Sequence, residues 1–397
     1  MFIINVVNIG ASNMRIAINL SIVRQQGLHR YLHGFIPALG KCGSEDNFLV
    51  FLPEQEKSKL VAQLPDKFVL RGTNFGTRVW KRVLWEQFVL PRIIRSWKAD
   101  VLFSPFDITP MFFSPAVLGV RNPSPLLLQM GLVENSSGVT QARIHYALSW
   151  MSCRKAHAVF YPSQYAARHL GDIMGIQAEK RSTIYHGVDQ AFWGEQRENL
   201  SVLRKYQVQS RRYFIFVSNL YRYKHPEVLV EAFRKLEDLQ SLSDYRVLLV
   251  GECPDKEFEK DLQKLITTSG LVEKVGWLRN IPSSDLASLY QECLAMVLPT
   301  TMETFGQPFV EAMVAGAAIL TADTKFAREI CGDAAWYFPA NDCEALGGLM
   351  LRSVEDSLGI ERLRASGKRQ SQNYSWQREA SETLALLKRV GVGSSSR

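Results

Sequence analysis

Residues 295–320 read AMVLPTTMETFGQPFVEAMVAGAAIL. They predict an apolar strand that ends near Leu298, a turn at Gly306, a helix over 307–315 and a second strand over 318–321. A glycine at a strand-to-helix turn lets the backbone approach a ligand closely, and Pro308 suits the first turn of a helix. A strand, a helix and a strand in this order are the unit of a parallel sheet with helices on its faces.

The same alternation extends through all 397 residues. A chain of this length favours two domains, and the polar, aperiodic stretch 194–210 separates two similar halves. The predicted strands are 15–20, 48–52, 101–103, 117–120 and 158–161 in the first half and 213–217, 245–250, 275–277, 296–298 and 318–321 in the second. The clearest predicted helices are 28–41, 78–98, 226–239, 256–268 and 284–292. We therefore predict two doubly wound α/β sheets.

The start of the first sheet has two interpretations, because residues 2–9 and 15–22 both look like strands. We favour the second run as the first strand of the sheet. A loop that contains Gly27, the helical sequence LHRYLHGFIPAL and the strand 48–52 follow it at an ordinary βαβ spacing. The alternative uses Gly10 in IGASN as the turn after the first run.

Composition excludes several classes of protein. Lysine and arginine number 47 and aspartate and glutamate 39, so the formal net charge is +8. This charge favours phosphates or an anionic surface, but the sequence has no zinc-finger spacing, RNP-like strand or basic tail, so we expect no nucleic-acid partner. Six cysteines without a CxxC pair indicate reduced thiols of a cytoplasmic protein rather than a zinc site. No apolar run reaches the ~18 residues that span a bilayer, and the N-terminus lacks the basic lead of a secretory signal.

The residues suited to chemistry follow predicted strands of the second half. Glu303 and Glu311 are carboxylates that can each accept paired hydrogen bonds from vicinal hydroxyls, as a ribose or hexose requires; the alternative is acidic enrichment at a helix N-terminus. Arg222 and Lys224 in SNLYRYKHPE lie where a diphosphate would meet cations and helix N–H groups, although they could also be two solvated bases. Gly251 ends another strand and would let a base or phosphate approach.

Taken in order, these segments resemble the retaining glycosyltransferases of family 4, which have the GT-B architecture of two facing Rossmann-like domains. The Glu-x7-Glu unit carries the resemblance, together with IYHGVDQAFW at 184–193, SNLYRYKHPEVLVEAF at 218–233 and YSWQREASETLALL at 374–387. The resemblance implies an acceptor domain over 1–195, a nucleotide-sugar domain over 196–372, and a C-terminal helix over 373–397 that crosses back to the first domain.

The resemblance also implies a role for individual residues. Glu311 would hold the ribose hydroxyls of the donor, and Glu303 the donor sugar. Lys224 would bind the diphosphate and offset charge on the leaving group. The remaining implied donor contacts are Phe305, Gly306, Gln307, Pro308, Gly251, Ser218, Asn219 and Gly27.

Two positions depart from the family pattern. The family commonly has an arginine five residues before the lysine, where this chain has Asn219, so we expect Arg222 to supply that charge. A histidine that commonly follows a first-domain strand is replaced by Arg121-Asn122, which we predict to make the catalytic contact instead. His157 and His186 are interpreted as structural residues. The sequence has no Asp-x-Asp motif, and the resemblance implies that no metal or other cofactor is needed.

The predicted function is a retaining, metal-independent transfer of a hexosyl unit from a nucleoside diphosphate sugar to a hydroxyl of a glycan or lipid-linked saccharide, in polysaccharide biosynthesis in the cytoplasm. A non-catalytic nucleotide-sugar-binding subunit and a nucleotide-sugar epimerase of the same architecture are the alternatives. The sequence leaves open the base, sugar, acceptor, linkage and oligomeric state.

The segment from Arg78 to Lys98 mixes three tryptophans with six basic residues and contains Pro91, which should kink or divide it. A basic, aromatic amphipathic helix can lie in the headgroup region of an anionic membrane. The alternative is a helix with its tryptophans in the core and its charges in water.

Overall fold

The structure is a computed structural model that describes residues 13–21, 31–61, 64–75, 79–133, 136–195, 199–236 and 242–394. The chain divides into two compact units. The first takes residues 1–162, 166–187 and 376–397, and the second takes 163–165 and 188–375. Each unit is built around one parallel sheet.

The described strands are β1 (Arg15–Asn19), β2 (Asn47–Pro53), β3 (Phe68–Thr73), β4 (Val101–Ser104), β5 (Ala116–Gly119), β6 (Ala158–Tyr161), β7 (Arg181–Thr183), β8 (Tyr213–Val217), β9 (Arg246–Val250), β10 (Val275–Leu278), β11 (Ala295–Leu298), β12 (Ala318–Ala322) and β13 (Ala335–Phe338).

The described α-helices are α1 (Ile36–Cys42), α2 (Glu54–Val61), α3 (Val79–Leu84), α4 (Leu90–Ser96), α5 (Ser124–Gln129), α6 (Ser136–Lys155), α7 (Gln164–Ile173), α8 (Gln190–Gly194), α9 (Leu200–Lys205), α10 (Pro226–Leu236), α11 (Lys256–Thr268), α12 (Ser283–Glu292), α13 (Gln307–Ala315), α14 (Lys325–Cys331), α15 (Cys343–Glu355), α16 (Ser357–Ser371) and α17 (Trp376–Ser394). Single π-helical turns cover Tyr31–Phe35 and Trp85–Val89, and 3-10 turns cover Ala178–Lys180, Arg222–Lys224 and Gly332–Ala334.

Both sheets are doubly wound. The first has the strand order β3-β2-β1-β4-β5-β6-β7 and the second the order β10-β9-β8-β11-β12-β13. The direction of winding reverses between β1 and β4 in the first sheet and between β8 and β11 in the second. Ligands of open α/β sheets bind beyond the carboxyl ends of the strands at such a reversal.

The core of the first unit follows the twofold period of its strands. Ile16 and Ile18 of β1 face one apolar cluster, whereas Ala17 faces the other cluster with Leu90 and Ile94 of α4. Because successive strand residues point to opposite faces, one short strand supplies both layers of the core. This double burial explains why the three central residues of β1 are all apolar.

The C-terminal helix α17 belongs to the first unit, as the predicted crossing back requires. It packs against α1, and Ala380, Leu384 and Leu387 enter the same apolar cluster as Ile16. The two doubly wound sheets and this helix confirm the predicted fold class.

Details of the sequence prediction differ from the structure. The favoured first strand is confirmed, because β1 pairs in parallel with β2 and β4; residues 2–9 and Gly10 lie outside the described residues. The stretch 194–210 contains α9, and the change of unit lies at 187/188. Val188 and Ser375, the first and last residues of the main segment of the second unit, form a parallel bridge with each other. Strands β3, β7 and β13 were not predicted.

None of the helices within the described residues is both long enough and apolar enough to cross a membrane.

Candidate functional site

The reversal between β8 and β11 places two loops side by side in the second unit. Residues 218–225 follow β8, and residues 299–306 follow β11. These loops contain seven of the predicted site residues, four in the first loop and three in the second, although the loops are far apart in the sequence. The structure joins one cation of the first loop to one carboxylate of the second.

Lys224 and Glu303 form that ion pair. The Lys224 ammonium donates to Oε1 of Glu303, and Lys224 as a whole is only 7% exposed. Lys224 ends the 3-10 turn Arg222–Lys224, which directs its side chain back beneath the loop that follows β11. A largely buried ammonium held by one carboxylate keeps two further N–H groups that can bind an anion such as a phosphate.

A hydrogen-bonded clasp holds the two loops in this arrangement. The carbonyl of Tyr223 accepts from the backbone N–H of Thr301 at 3.3 Å and from the Thr301 hydroxyl at 3.3 Å. His225, in the left-handed conformation with φ 52°, has Nε2 at 3.1 Å from Thr301 Oγ1 and Nδ1 at 3.1 Å from Glu227 Oε1. Sequence reasoning missed His225 and Thr301, although the His-Pro pair directly after Lys224 marked an unusual turn.

Helix α13 supplies the remaining predicted residues of the Glu-x7-Glu segment. Gly306 caps it with φ 83°, and a Cβ atom there would lie 2.5 Å from the Phe309 ring, so this turn requires glycine. Gln307 and Pro308 are its first two residues. Glu311 is 2% exposed, which is uncommon for a carboxylate and indicates a specific role.

Phe305 is buried beside these residues, with its ring 5.7 Å from that of Tyr374. The backbone before α13 is held further by the Ser163 hydroxyl, which donates to the Thr304 carbonyl at 2.6 Å. Ser163 was also missed by sequence reasoning, because its segment precedes α13 by more than a hundred residues.

The carboxyl ends of β8 and β9 bring together Ser218, Asn219 and Gly251. The Ser218 N–H donates to Val250 O at 3.0 Å, and a Cβ atom on Gly251 would collide with the Ser218 carbonyl. Gly251 has φ 144°, so both its conformation and its surroundings require glycine. Gly251 is therefore required for the close packing of the two strand ends, and its predicted contact with a base or phosphate stays a prediction.

Arg222 has partners other than those predicted. Its guanidinium binds Asp261 of α11 at 3.0 Å and lies 3.7 Å from Asp255, and it lies over the Phe258 ring at 4.8 Å. These three partners lie in α11 and at its N-cap. They attract the Arg222 guanidinium more strongly than the open loop does. Its contact with the diphosphate stays a prediction that requires these ion pairs to open.

In the first unit, Arg121 is buried in an aromatic cage. Its guanidinium carbon lies 4.3 Å from the Tyr31 ring centre and 5.1 Å from that of Phe106, and its NH2 binds Glu379 of α17 at 3.1 Å. Burial lowers the pKa of Arg121 to about 10, and Glu379 partly offsets this shift. The structure thus uses Arg121 to fix the C-terminal helix, and its predicted catalytic contact stays untested.

Glu379 is the centre of this cluster and is 1% exposed. It accepts the Tyr31 hydroxyl at 2.7 Å and the backbone N–H of Gly187 at 2.7 Å, and His186 Nδ1 lies 3.3 Å away. Four groups from distant parts of the chain therefore satisfy one buried carboxylate. Sequence reasoning missed Glu379, whose only signal was an acid on the apolar face of a helix.

Asn122 organises the turn after β5. Its backbone N–H and that of Arg121 donate to Asp107 Oδ1 at 3.1 and 2.9 Å. Its own side chain accepts from the Ser124 N–H at 2.9 Å, at the start of α5. Burial raises the pKa of Asp107, which His145 and the two backbone N–H groups lower only in part. Gly27 lies outside the described residues.

The predicted amphipathic segment is divided, as Pro91 suggested, into α3, a π-helical turn and α4. Its inner side holds Trp85, which packs edge-on against Phe51. Its outer side exposes a cluster that we call the Phe88 patch, whose members are Leu84, Phe88, Val89 and, from the neighbouring loop, Phe112. Phe88 and Phe112 are 50% and 54% exposed, and their rings stack at 5.6 Å.

Among the residues that the structure describes, no three His, Cys, Asp or Glu side chains are arranged to hold a metal ion.

The chain is similar in sequence to several curated proteins. Two relatives are the O-antigen chain mannosyltransferase B of Escherichia coli, 28% identical over 194 residues, and the O-antigen chain mannosyltransferase RfbU of Salmonella typhimurium, 24% identical over 192 residues. Each match takes 48% of this chain and 49% of the relative. The chain thus matches about half the length of these curated relatives.

Among solved structures, Alr3699/HepE of Anabaena in complex with UDP-glucose has the same fold, with a TM-score of 0.70 at 17% identity. The superposition covers 94% of this chain and all of that one. The family model described as Glycosyl transferases group 1 matches residues 203–372, and the one described as Glycosyltransferase Family 4 matches residues 26–192. Since the two matches fall on the two sheets in turn, the chain belongs to the family 4 glycosyltransferases of GT-B fold.

Proposed function

We propose that this protein transfers a hexosyl unit, a mannosyl unit in the first instance, from a nucleoside diphosphate sugar to a hydroxyl of a glycan or lipid-linked saccharide. The Lys224–Glu303 pair at the β8–β11 reversal carries this proposal. Membership of the family supports glycosyl transfer. The O-antigen mannosyltransferases among the relatives support the mannosyl unit and the polysaccharide product.

In this proposal, the diphosphate lies against the Lys224 ammonium and the backbone N–H groups at the start of α13. The N-terminus of a helix and a nearby cation are a recurrent phosphate site. Glu303 holds Lys224 in place in the free enzyme and accepts hydroxyls of the donor sugar when the donor binds. As the glycosidic bond breaks, Lys224 stabilises the negative charge that develops on the leaving diphosphate.

We propose further that the reaction retains anomeric configuration and needs no metal. A Lys224 ammonium and helix N–H groups can offset the diphosphate charge that a divalent cation would otherwise offset. We expect the rate of transfer to be unchanged in excess chelator. We also expect the anomeric proton resonance of the product to show the same configuration as that of the donor. Loss of activity in chelator, restored by a divalent cation, would contradict the metal-independent part.

The defining experiment presents the purified protein with nucleoside diphosphates and their sugars in a thermal-shift screen, followed by transfer assays with the stabilising donor. We expect a rise in melting temperature with one nucleoside diphosphate sugar and a glycosylated product on a saccharide acceptor. Stabilisation without turnover across a broad acceptor panel would instead favour a non-catalytic nucleotide-sugar-binding subunit. Conversion of the donor alone into an epimer would favour the epimerase alternative.

A peripheral membrane contact is the proposed role of the Phe88 patch, at the cytoplasmic face where lipid-linked acceptors would be used. Exposed apolar side chains rimmed by cations bind anionic headgroup regions, and Arg92 and Arg95 lie on the same segment. Sedimentation with vesicles of anionic phospholipid tests it. We expect binding that Phe88→Ser and Phe112→Ser together abolish, and binding that this pair leaves unchanged would reject the contact.

A further inference from the structure

The reversal between β1 and β4 in the first unit carries a buried carboxyl group, Glu86, that the proposed reaction does not yet use. Glu86 lies on the π-helical turn Trp85–Val89 and is 2% exposed. Its neighbour Gln87 accepts the backbone N–H of Met111, in the segment after β4, at 2.8 Å. Single π-helical turns are frequent at functional positions, and this one directs two successive polar side chains toward the same sheet edge.

Three polar side chains meet at the carboxyl end of β1. Ser21 Oγ lies 2.5 Å from Asn19 Oδ1 and 3.0 Å from Glu86 Oε1. Asn19 Nδ2 lies 3.3 Å from the same Glu86 oxygen. Asn19 and Ser21 are themselves buried, so these groups satisfy one another rather than water.

Counting hydrogens within this cluster shows that one is missing if Glu86 is ionised. The Ser21 hydroxyl has a single hydrogen, yet its oxygen makes two close contacts to oxygens. A carboxylate and an amide carbonyl are both acceptors, so Ser21 can serve only one of them. The second contact needs a proton from elsewhere.

The orientation of Asn19 does not supply that proton. Asn19 Oδ1 also accepts the backbone N–H of Ser21 at 3.2 Å, so a rotated amide would set its NH2 against that N–H. The backbone N–H of Ser21 thus fixes the orientation of the Asn19 amide. The Ser21 hydroxyl then donates its hydrogen to Asn19 Oδ1 at 2.5 Å. The contact between Ser21 and Glu86 is then a hydrogen bond only when Glu86 itself is the donor.

We propose that Glu86 is a neutral carboxylic acid that donates to Ser21 Oγ and thereby positions the chain where it leaves β1, at the edge that receives the acceptor saccharide. This inference rests on the proposed function for its acceptor. Glu86 is a positioning residue, since it acts through Ser21. Ionisation leaves two acceptor oxygens facing each other without a hydrogen and loosens the strand end.

The electrostatic surroundings agree with this assignment. Burial raises the pKa of Glu86 to about 7, and the charge of Arg82 and the polar side chains of Ser21 and Asn19 lower it only in part. Arg82 lies one turn earlier on the same segment. Among the described residues, the end of β1 and the residues just after it present only the neutral Asn19 and Ser21 to Glu86. The acid that follows β4 is Asp107, and burial raises its pKa as well.

The raised pKa of Glu86 should make the stability of the protein depend on pH. A carboxyl group whose folded pKa lies above its ordinary value of about 4.3 stabilises the fold while it is protonated. That stability is complete below the ordinary value and is lost as pH rises through about 7. Melting temperature should therefore fall as pH rises from about 4.3 to about 7 and then level off, whereas acceptor affinity should fall as Glu86 ionises around pH 7.

The first test is infrared spectroscopy of the free protein from about pH 5 to about pH 9. We expect a protonated carboxyl band that disappears with a midpoint near neutrality and that is missing in Glu86→Gln. Ser21→Ala should shift this band, because it removes the acceptor. Glu355→Gln, at an exposed glutamate of α15, is the matched control and should change nothing. A spectrum in which neither Glu86→Gln nor Ser21→Ala alters an acid band would overturn the proposal.

The second test separates positioning from mere packing. In Glu86→Gln the amide donates to Ser21 at every pH. The fall in melting temperature below about pH 7 and the rise in acceptor KM across neutrality should therefore both flatten, with kcat little changed. If the acid band is present but KM has the wild-type pH profile in Glu86→Gln, the positioning role is wrong. If no donor and acceptor pair reacts, the proposed function fails, whereas the infrared and melting measurements still decide the state of Glu86.

Discussion

Two buried ion pairs, one in each unit, use the same chemistry for different purposes. Lys224–Glu303 joins two loops that both end at the β8–β11 reversal. Arg121–Glu379 joins the turn after β5 to the C-terminal helix, with Tyr31, His186 and Gly187 as additional partners of the carboxylate. Among the residues that the structure describes, the first carboxylate contacts one side chain and the second has four partners. A carboxylate with few internal partners retains capacity for a ligand, whereas one that is fully satisfied acts as a structural joint.

The largest effect on stability should come from removing the Arg121–Glu379 ion pair. Glu379→Ala leaves the Arg121 guanidinium buried without its carboxylate, which typically costs about 3–5 kcal/mol. We expect melting to occur roughly 10 °C lower, as measured by circular dichroism. Glu382→Ala, on the same helix but paired with Arg378 at the surface, should lower stability by no more than ~0.5 kcal/mol. If the two variants lowered the melting temperature equally, Glu379 would not be the structural residue that holds the C-terminal helix.

Breaking the other pair should affect catalysis rather than folding. Lys224→Ala removes the cation that stabilises the leaving diphosphate, and loss of one such group slows turnover roughly 100-fold or more. Steady-state kinetics with the true donor and acceptor measure it. Lys235→Ala, which removes a lysine paired with Glu344, is the control and should react at the wild-type rate. A Lys224→Ala variant with full activity would show that the site is assigned wrongly.

Glu311 should influence binding of the donor more than turnover. If its buried carboxylate accepts two ribose hydroxyls, Glu311→Ala should raise the donor KM about 10-fold to 100-fold. Isothermal titration with the nucleoside diphosphate distinguishes binding from catalysis. Glu361→Ala, at an exposed glutamate of α16, is the control. An unchanged affinity would place the ribose elsewhere.

Arg222 should show the smallest effect, because its partners lie on α11. Its ion pairs with Asp261 and Asp255 are partly exposed, so Arg222→Ala should cost about 0.5 kcal/mol of stability. Turnover should change less than about threefold. A loss comparable to that of Lys224→Ala would mean that Arg222 leaves these acids when the donor binds, as the sequence comparison with the family suggested.

The local chemistry of the site was predictable because it is encoded in short segments. The need for glycine at 306, for an apolar strand before it and for proline at the first turn of α13 are all local effects of backbone conformation. Lys224 was recognisable because it lies in the loop between a predicted strand and a predicted helix. Its partner was not, since nothing in the sequence states that Glu303, 79 residues later, is the group its ammonium meets.

The amphipathic segment shows where local reasoning stops. The sequence indicated a division at Pro91 and left membrane contact and core packing open. The two sides of the segment differ in the structure. Trp85 packs against Phe51 inside the first unit, whereas Phe88 packs against Phe112 on the surface of that unit. The π-helical turn that separates these sides depends on tertiary packing, because its extra residue per turn has no clear sequence signal.

By itself, the sequence determined the fold class and the positions of the central strands along the chain, because hydrophobic period and turn residues act over short distances. Only the tertiary structure decided which charges meet. It gave Lys224 to Glu303, Arg121 to Glu379 and Arg222 to α11, and it placed Glu86 against Ser21. Such pairings depend on the burial and exact distance of groups from distant segments, since electrostatic and hydrogen-bond energies change steeply with both.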